Sequence, residues 1–517
     1  MHTKIVLIIC ASLWLLLPAT VFAQGSIPPA NPPYYPPAAA DEGPAHPDIP
    51  HHKKLVEDYN AGVLTLDDMR RMGLSVFATP FNSYDGLGDG AFVLEEWLKS
   101  PLELGHRPTL QGNGMFGRLH GLDSRSCNEC HNIVSNRTRL PSLGLGGVGD
   151  ISQNAMPAPT LIDVGDSSEE RVKFAPHVNL DFEADGVADY NGRFINPPFL
   201  YGGGGVELLG KEMTDDLQRR LKEAMDSDPG TIVYLDTHGV NFGYLIVDND
   251  GKVNFEHIEG INDDLVVRPF NRKGGRFSMR DFDRDAMAFH FGIQPVESVG
   301  EDVDEDLDGY VNEITIGEMT VLHFFDVCNP RPVIQLGKNS TEQAELDQAE
   351  LLMEQGGCFR CHKPILSTYS TQLPLAFPEI PEAPYKYVYA EINLVDVGFT
   401  PNFFGGVFVP LFADLKRHDM GDELAETLDG EDGKPDKLNR QFTTARLWGV
   451  ADTAPYLHDG RATTLYQAIY FHGGEAEPEK VWFMEHLTVW QQKLILKFLM
   501  HLRTPENPNE DLLPLTI

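Results

Sequence analysis

The chain has 517 residues, 42% of them hydrophobic, with 77 acidic against 41 basic side chains and a formal charge of −36. That length allows two or three domains. The acidic surplus argues against a nucleic-acid binder, whose surface carries basic patches.

The first residues predict export. Lys4 precedes the apolar run IVLIICASLWLLLPA, which is too short to span a bilayer, and Val21 and Ala23 are small residues of the type a signal peptidase accepts. A signal peptide over 1–23 is expected, with Gln24 opening the mature chain. Cys10 lacks the small residue before it that a lipoprotein signal needs. No later stretch reaches about 18 consecutive apolar residues, so no transmembrane anchor is expected and the location reads as periplasmic or secreted. Residues 24–50 are a Pro/Ala-rich spacer without the apolar content to build a core.

Cysteines are few and clustered. Cys127-Asn128-Glu129-Cys130-His131 and Cys358-Phe359-Arg360-Cys361-His362 are both C-x-x-C-H, the attachment pattern of a c-type haem. Two thiols add to the two vinyl groups of one haem, and the adjacent histidine becomes the proximal ligand of its iron. Two such motifs in an exported chain predict two c-type haems. Cys328 stands alone and reads as a small buried hydrophobe.

Between the motifs, Gly202 to Gly205 are four consecutive glycines before a predicted helix starting near Val206. Glycines permit close backbone approach, but no P-loop lysine follows. Glu207 is either a pocket carboxylate or a first-turn acid favoured by the helix dipole. Residues 302–313, DVDEDLDGYVNE, match the first part of an EF-hand-type loop. Asp304, Asp306 and Asp308 take positions 1, 3 and 5, with Gly309, Tyr310 and Asn312 at 6, 7 and 9. Position 12 is Thr315, so Glu313 or Glu318 would have to close the site. The loop is either a site for one calcium ion or a solvated acidic turn.

The segment TEQAELDQAELLMEQGG carries helical periodicity, with Leu346, Ala349, Leu352 and Met353 on one side, and places the second motif at a helix end. Downstream, His418 and Met420 are candidates for the second axial position of an iron. In APYLHDGRATTL, His458 beside Asp459 is a candidate propionate contact or proton-steering group, or a structural histidine. Thr463 or Thr464 caps the next helix, which runs toward His472. Trp448 and Tyr456 are core aromatics or lie between cofactors.

The stretches SRSCNECHN (124–132), SQNAMPAP (152–159), PPFLYGGGGVELLGKEM (197–213), DVDEDLDGYVNEITIGEMT (302–320), GGCFRCHKP (356–364) and APYLHDGRATTLYQAIYFHGGEA (454–476) occur in an order that resembles the di-haem oxidoreductase family of peroxidases, the thiol-oxidoreductase-like group. That family is similar to bacterial di-haem cytochrome c peroxidases. The resemblance implies a mainly α fold of two class I cytochrome c-like domains with long loop insertions, one over 51–340 and one over 341–517. It implies that the haem on Cys127, Cys130 and His131 offers an open face to hydrogen peroxide, with Glu207 as the distal acid. The haem on Cys358, Cys361 and His362 would relay electrons, with Met420 rather than His418 on its far side. The expected partner is an external electron donor such as a small cytochrome or a cupredoxin, and the expected reaction reduces peroxide to water. Two other functions fit the same residues: a di-haem oxygenase or oxidase using dioxygen on an organic or protein substrate, and a non-catalytic di-haem electron carrier.

Overall fold

In a computed structural model of the chain, the described residues are 44–88, 126–129, 131, 158–161, 192–197, 200–305, 308–425 and 437–513. The expected signal peptide, residues 24–43 of the spacer, Cys130 and Asp306 lie outside them.

Eight helices of six residues or more occur among the described residues: α1 (His52–Asn60), α2 (Leu66–Ala78), α3 (Gly203–Met225), α4 (Met279–Ala286), α5 (Ile316–Val327), α6 (Ser340–Gln355), α7 (Leu465–Tyr470) and α8 (Val489–Leu499). Their starts are written in the sequence. Thr65, Thr315, Thr464 and Thr488 each accept a bond from the third helical backbone N–H, and Asp68, Glu318, Gln467 and Gln491 return one to the cap. Each such box satisfies donors a helix start leaves open. In α6 the buried residues are Leu346, Ala349, Leu352 and Met353, the stripe its periodicity predicts.

The expectation of a mainly α pair of class I cytochrome c-like domains with loop insertions is overturned. The fold is mixed α and β: fourteen short strands form six sheets of two or three strands among the described residues. The stretches expected as loops are largely hairpins. Strand β1 (Ile232–Thr237) alternates exposed and buried residues along its length and pairs antiparallel with β2 (Val240–Val247). His238 and Gly239 make the two-residue turn, both at positive φ (49° and 77°), as a tight hairpin requires. After the second motif, β3 (Gln372–Ala376) pairs with β4 (Val388–Asn393) across a longer loop. Period-two alternation in IVYLDT was the legible signal.

Two hydrophobic clusters hold these elements. The larger gathers α2, α3, α5, the hairpins and Trp448, and Cys127 packs against it. The smaller joins α6, α7 and α8 with Phe412 and Phe483, and Cys358 and Phe359 pack against it. Each attachment motif therefore rests on its own apolar surface. Among the described residues no helix is long and apolar enough to cross a membrane.

Candidate functional site

Both motifs fold alike. Cys127–Glu129 and Cys358–Arg360 form single 3₁₀ turns, and the following histidine donates its backbone N–H to the first cysteine carbonyl, at 2.9 Å for His131 and 3.0 Å for His362. This turn gathers each histidine with its cysteine. Before the second motif, Gly357 sits at φ +81° as the cap, and a Cβ on Gly356 would lie 2.2 Å from the Trp482 ring.

The His362 ring is set by its surroundings. Its Nδ1 donates to the Phe412 carbonyl at 3.1 Å, and its Nε2 makes no hydrogen bond among the described residues. Phe412 is held in the left-handed region at φ +54°, a costly conformation for a bulky residue that persists only when packing demands it. Burial, with His472 beside it, pulls the His362 pKa down to about 4. The ring is a neutral imidazole at neutral pH, the form that ligates metal. His131 is likewise pulled down, to about 3, by burial and by His290, and its Nδ1 is buried without a partner among the described residues.

His418 and Met420 stand near the second motif, on and after the strand Arg417–Asp419. His418 Nε2 bonds Asp414 at 2.9 Å, its Nδ1 bonds Glu475 at 2.8 Å, and Cys361 Sγ lies 3.9 Å from that Nδ1. Burial opposes the charge, but these bonds outweigh it and raise the pKa to about 11. His418 is thus an imidazolium with both N–H groups engaged. Asp414, Glu475 and His472 complete this neighbourhood, and the sequence analysis assigned none of them. His458 stacks on Phe442 with ring centroids 4.5 Å apart, and Asp459 pairs with Arg461.

Glu207 sits elsewhere, sealed in the larger core. Lys211, one turn along α3, donates to its Oε1 at 2.6 Å, the Met279 backbone N–H donates to Oε2 at 2.8 Å, and His323 Nε2 lies 3.2 Å from both oxygens. Burial would raise this carboxyl, but Lys211 and His323 overcome it and hold it below the usual range. One atom each of Glu207, His323 and Glu379 fall within 4.8 Å of one another, as do those of Cys361, Asp414 and His418. No described residue of either C-x-x-C-H motif is among the hydrogen-bond partners of Glu207. The four glycines are explained by close packing at the start of α3. A Cβ on Gly202 would lie 2.5 Å from the Trp448 ring, one on Gly204 2.4 Å from the Val327 carbonyl, and one on Gly205 2.4 Å from Phe399.

In the acidic loop, Asp304 Oδ2 accepts from the Gly309 N–H at 3.1 Å and Asp308 Oδ1 from Tyr310 at 2.7 Å. Asp304 Oδ1 is buried without a partner among the described residues. Asn312 instead turns its side chain onto Asp302. Neither candidate closing acid faces the loop alone: Glu313 accepts from the Gln294 N–H, and Glu318 caps α5 and bonds His46. Cys328 is buried, and that burial pushes its thiol up to about 12, so it is inert.

Residues 401–502 match the profile of the family described as "Di-haem oxidoreductase, putative peroxidase". No curated protein matches the chain. Among solved structures, a chain of hydrazine synthase from Kuenenia stuttgartiensis, pressurised with xenon, is similar at 14% identity, over 59% of this chain and 88% of that one, with a TM-score of 0.26. The family name implies two haems. The residues present fit that group at the second motif: two free thiols, a neutral histidine with Nδ1 held by a carbonyl, and an unbonded Nε2.

Proposed function

We propose that the chain is an exported di-haem c-type oxidoreductase that reduces hydrogen peroxide to water with electrons from an external donor. The observation that carries this reading is the His362 ring, neutral, half-buried and fixed through Nδ1, its Nε2 without a hydrogen bond among the described residues, beside the thiols of Cys358 and Cys361. The match of residues 401–502 to the di-haem family supports it. Covalently bound haem at the two motifs would supply the redox chemistry.

The chain's own residues do the positioning. Cys127, Cys130 and His131 would hold the first haem, and Cys358, Cys361 and His362 the second. The Phe412 carbonyl fixes the His362 tautomer. The Asp414–His418–Glu475 chain sets a charged, hydrogen-bonded edge beside Cys361, and His458 lines the nearby turn. Glu207, held ionised by Lys211 and already accepting three partners, has little capacity to move a proton. The loop carrying Asp304, Asp306, Asp308, Tyr310 and Asn312 is proposed to bind one calcium ion, using the orphaned Asp304 Oδ1.

The test is haem content together with turnover. Pyridine haemochrome assay of the purified protein is expected to give two haems per chain, and peroxide to oxidise a reduced small cytochrome or cupredoxin in its presence. Two haems with no peroxide-dependent oxidation of any such donor, under half-reduced or oxidised conditions, would overturn the peroxidase reading.

A further inference from the structure

The pattern A-x-x-F-H-x-G occurs twice in the chain, at Ala286–Gly292 and at Ala468–Gly474. Its histidines are His290 and His472. Together with burial, His290 helps lower the pKa of His131, the histidine of the first attachment motif, and the His472 ring centroid is 6.3 Å from that of His362, the histidine of the second. This separation is informative. A metal–imidazole bond is about 2.0 Å, and the ring centre lies roughly 1.1 Å beyond the nitrogen, so two imidazoles on opposite sides of one metal stand roughly 6.2 Å apart.

We propose that His472 is the second axial ligand of the haem held by Cys358, Cys361 and His362. The proposal rests on haem attachment at that motif. Three further observations support it. His472 is fixed as His362 is: its Nδ1 donates to the Ala468 carbonyl, one turn back, at 2.8 Å, and its Nε2 makes no hydrogen bond among the described residues. Metal-ligating histidines characteristically give the other ring nitrogen to a carbonyl. The backbone after His472 is also locked. A Cβ on Gly473 would lie 2.8 Å from the Met420 carbonyl, and one on Gly474 2.2 Å from the Asp419 carbonyl, so only glycines let the chain lie against that strand. Finally, His418 has both nitrogens engaged by Asp414 and Glu475 and offers no lone pair. Met420 contributes backbone to this arrangement: its N–H donates to the Arg440 carbonyl, and its own carbonyl backs Gly473.

The consequence is functional. Two imidazoles give a closed, low-potential electron-transfer centre, whereas a methionine in the same place raises the potential. The second haem is therefore a relay, and substrate chemistry is confined to the first.

The experiment uses the purified full-length holoprotein and its variants, read by electron paramagnetic resonance and near-infrared magnetic circular dichroism. The wild type is expected to show a bis-imidazole low-spin centre and no methionine–iron charge-transfer band. His472→Ala is expected to lose that low-spin signal, to gain a high-spin ferric one, and to recover the first on adding imidazole. His472→Met is expected to raise the midpoint potential of one centre. A methionine–iron band in the wild type, or loss of the low-spin signal in Met420→Leu with His472→Ala unchanged, would overturn the proposal. If the variants do not accumulate, a methionine–iron band in the wild type still overturns the proposal. The underlying reading is separately exposed: a Cys358→Ala/Cys361→Ala protein that keeps two haems would refute attachment at this motif, and with it the proposal.

Discussion

Two groupings of ionisable side chains among the described residues differ in what their polar atoms leave open. Around Glu207, both oxygens are engaged, by Lys211, Met279 N–H and His323, inside the larger core. Around His362, two histidines are each tied through Nδ1 to a backbone carbonyl, and neither Nε2 makes a hydrogen bond among the described residues. The first grouping is an ion network closed at Glu207 itself, while His323 Nδ1 and Glu379 Oε1 are buried without a partner among the described residues. The second, on the function proposed, takes up a group the polypeptide does not supply. Atoms without a partner occur in both, so they do not mark the second by themselves; the pair of rings held through Nδ1 with centroids 6.3 Å apart does.

Breaking the closed network gives the largest expected effect. Glu207→Ala leaves Lys211 buried without its carboxylate and should cost about 3–5 kcal/mol in a denaturant titration, with haem content unchanged. Glu207→Leu/Lys211→Met, which removes both charges, should restore most of that loss. A Glu207→Ala protein of wild-type stability would show that the network is not closed. A smaller effect is expected where the network's helix begins. Gly202→Ala places a Cβ against Trp448 at φ +73° and should cost about 1–3 kcal/mol in the same titration. An unchanged midpoint would mean that Trp448 yields easily.

The smallest effect sharpens the comparison through pH. Asp326 and Asp283 are buried carboxyls hydrogen-bonded to each other, and burial raises Asp326 to about 8. Its folded pKa lies above the ordinary aspartate value of 3.8, so the folded state binds more protons across that interval. The pair's contribution to stability is fully present below the unfolded value and is lost as pH rises through about 8. Denaturation midpoints should fall over that range, and Asp326→Asn should flatten the decline. A decline of equal slope in the variant would assign it to other groups.

Much of the second site was legible in sequence. The C-x-x-C-H spacing, the stripe Leu346, Ala349, Leu352 and Met353, and the Thr464 cap are local patterns, and each appears in the structure as written. What was missed depends on contacts between distant segments. His362 and His472 meet only through folding of the intervening strands, although the repeated A-x-x-F-H-x-G was there to be seen. Lys211 could have been paired with Glu207 from helical spacing, but Met279 and His323 come from other elements. The hairpins were lost for a different reason. Their local signal is short, only the alternation of Ile232–Thr237 and the His238-Gly239 turn, and the pairing partners lie on other segments.

On the function proposed, the second grouping carries a covalently attached haem. Proteolysis of the exported protein followed by mass spectrometry of the peptide spanning residues 358–362 tests it most directly. The account predicts a peptide carrying one haem through both cysteines, with no free-thiol form. Recovery of that peptide from haem-replete cells with Cys358 and Cys361 as unmodified thiols, or joined to each other as a disulfide, would contradict it.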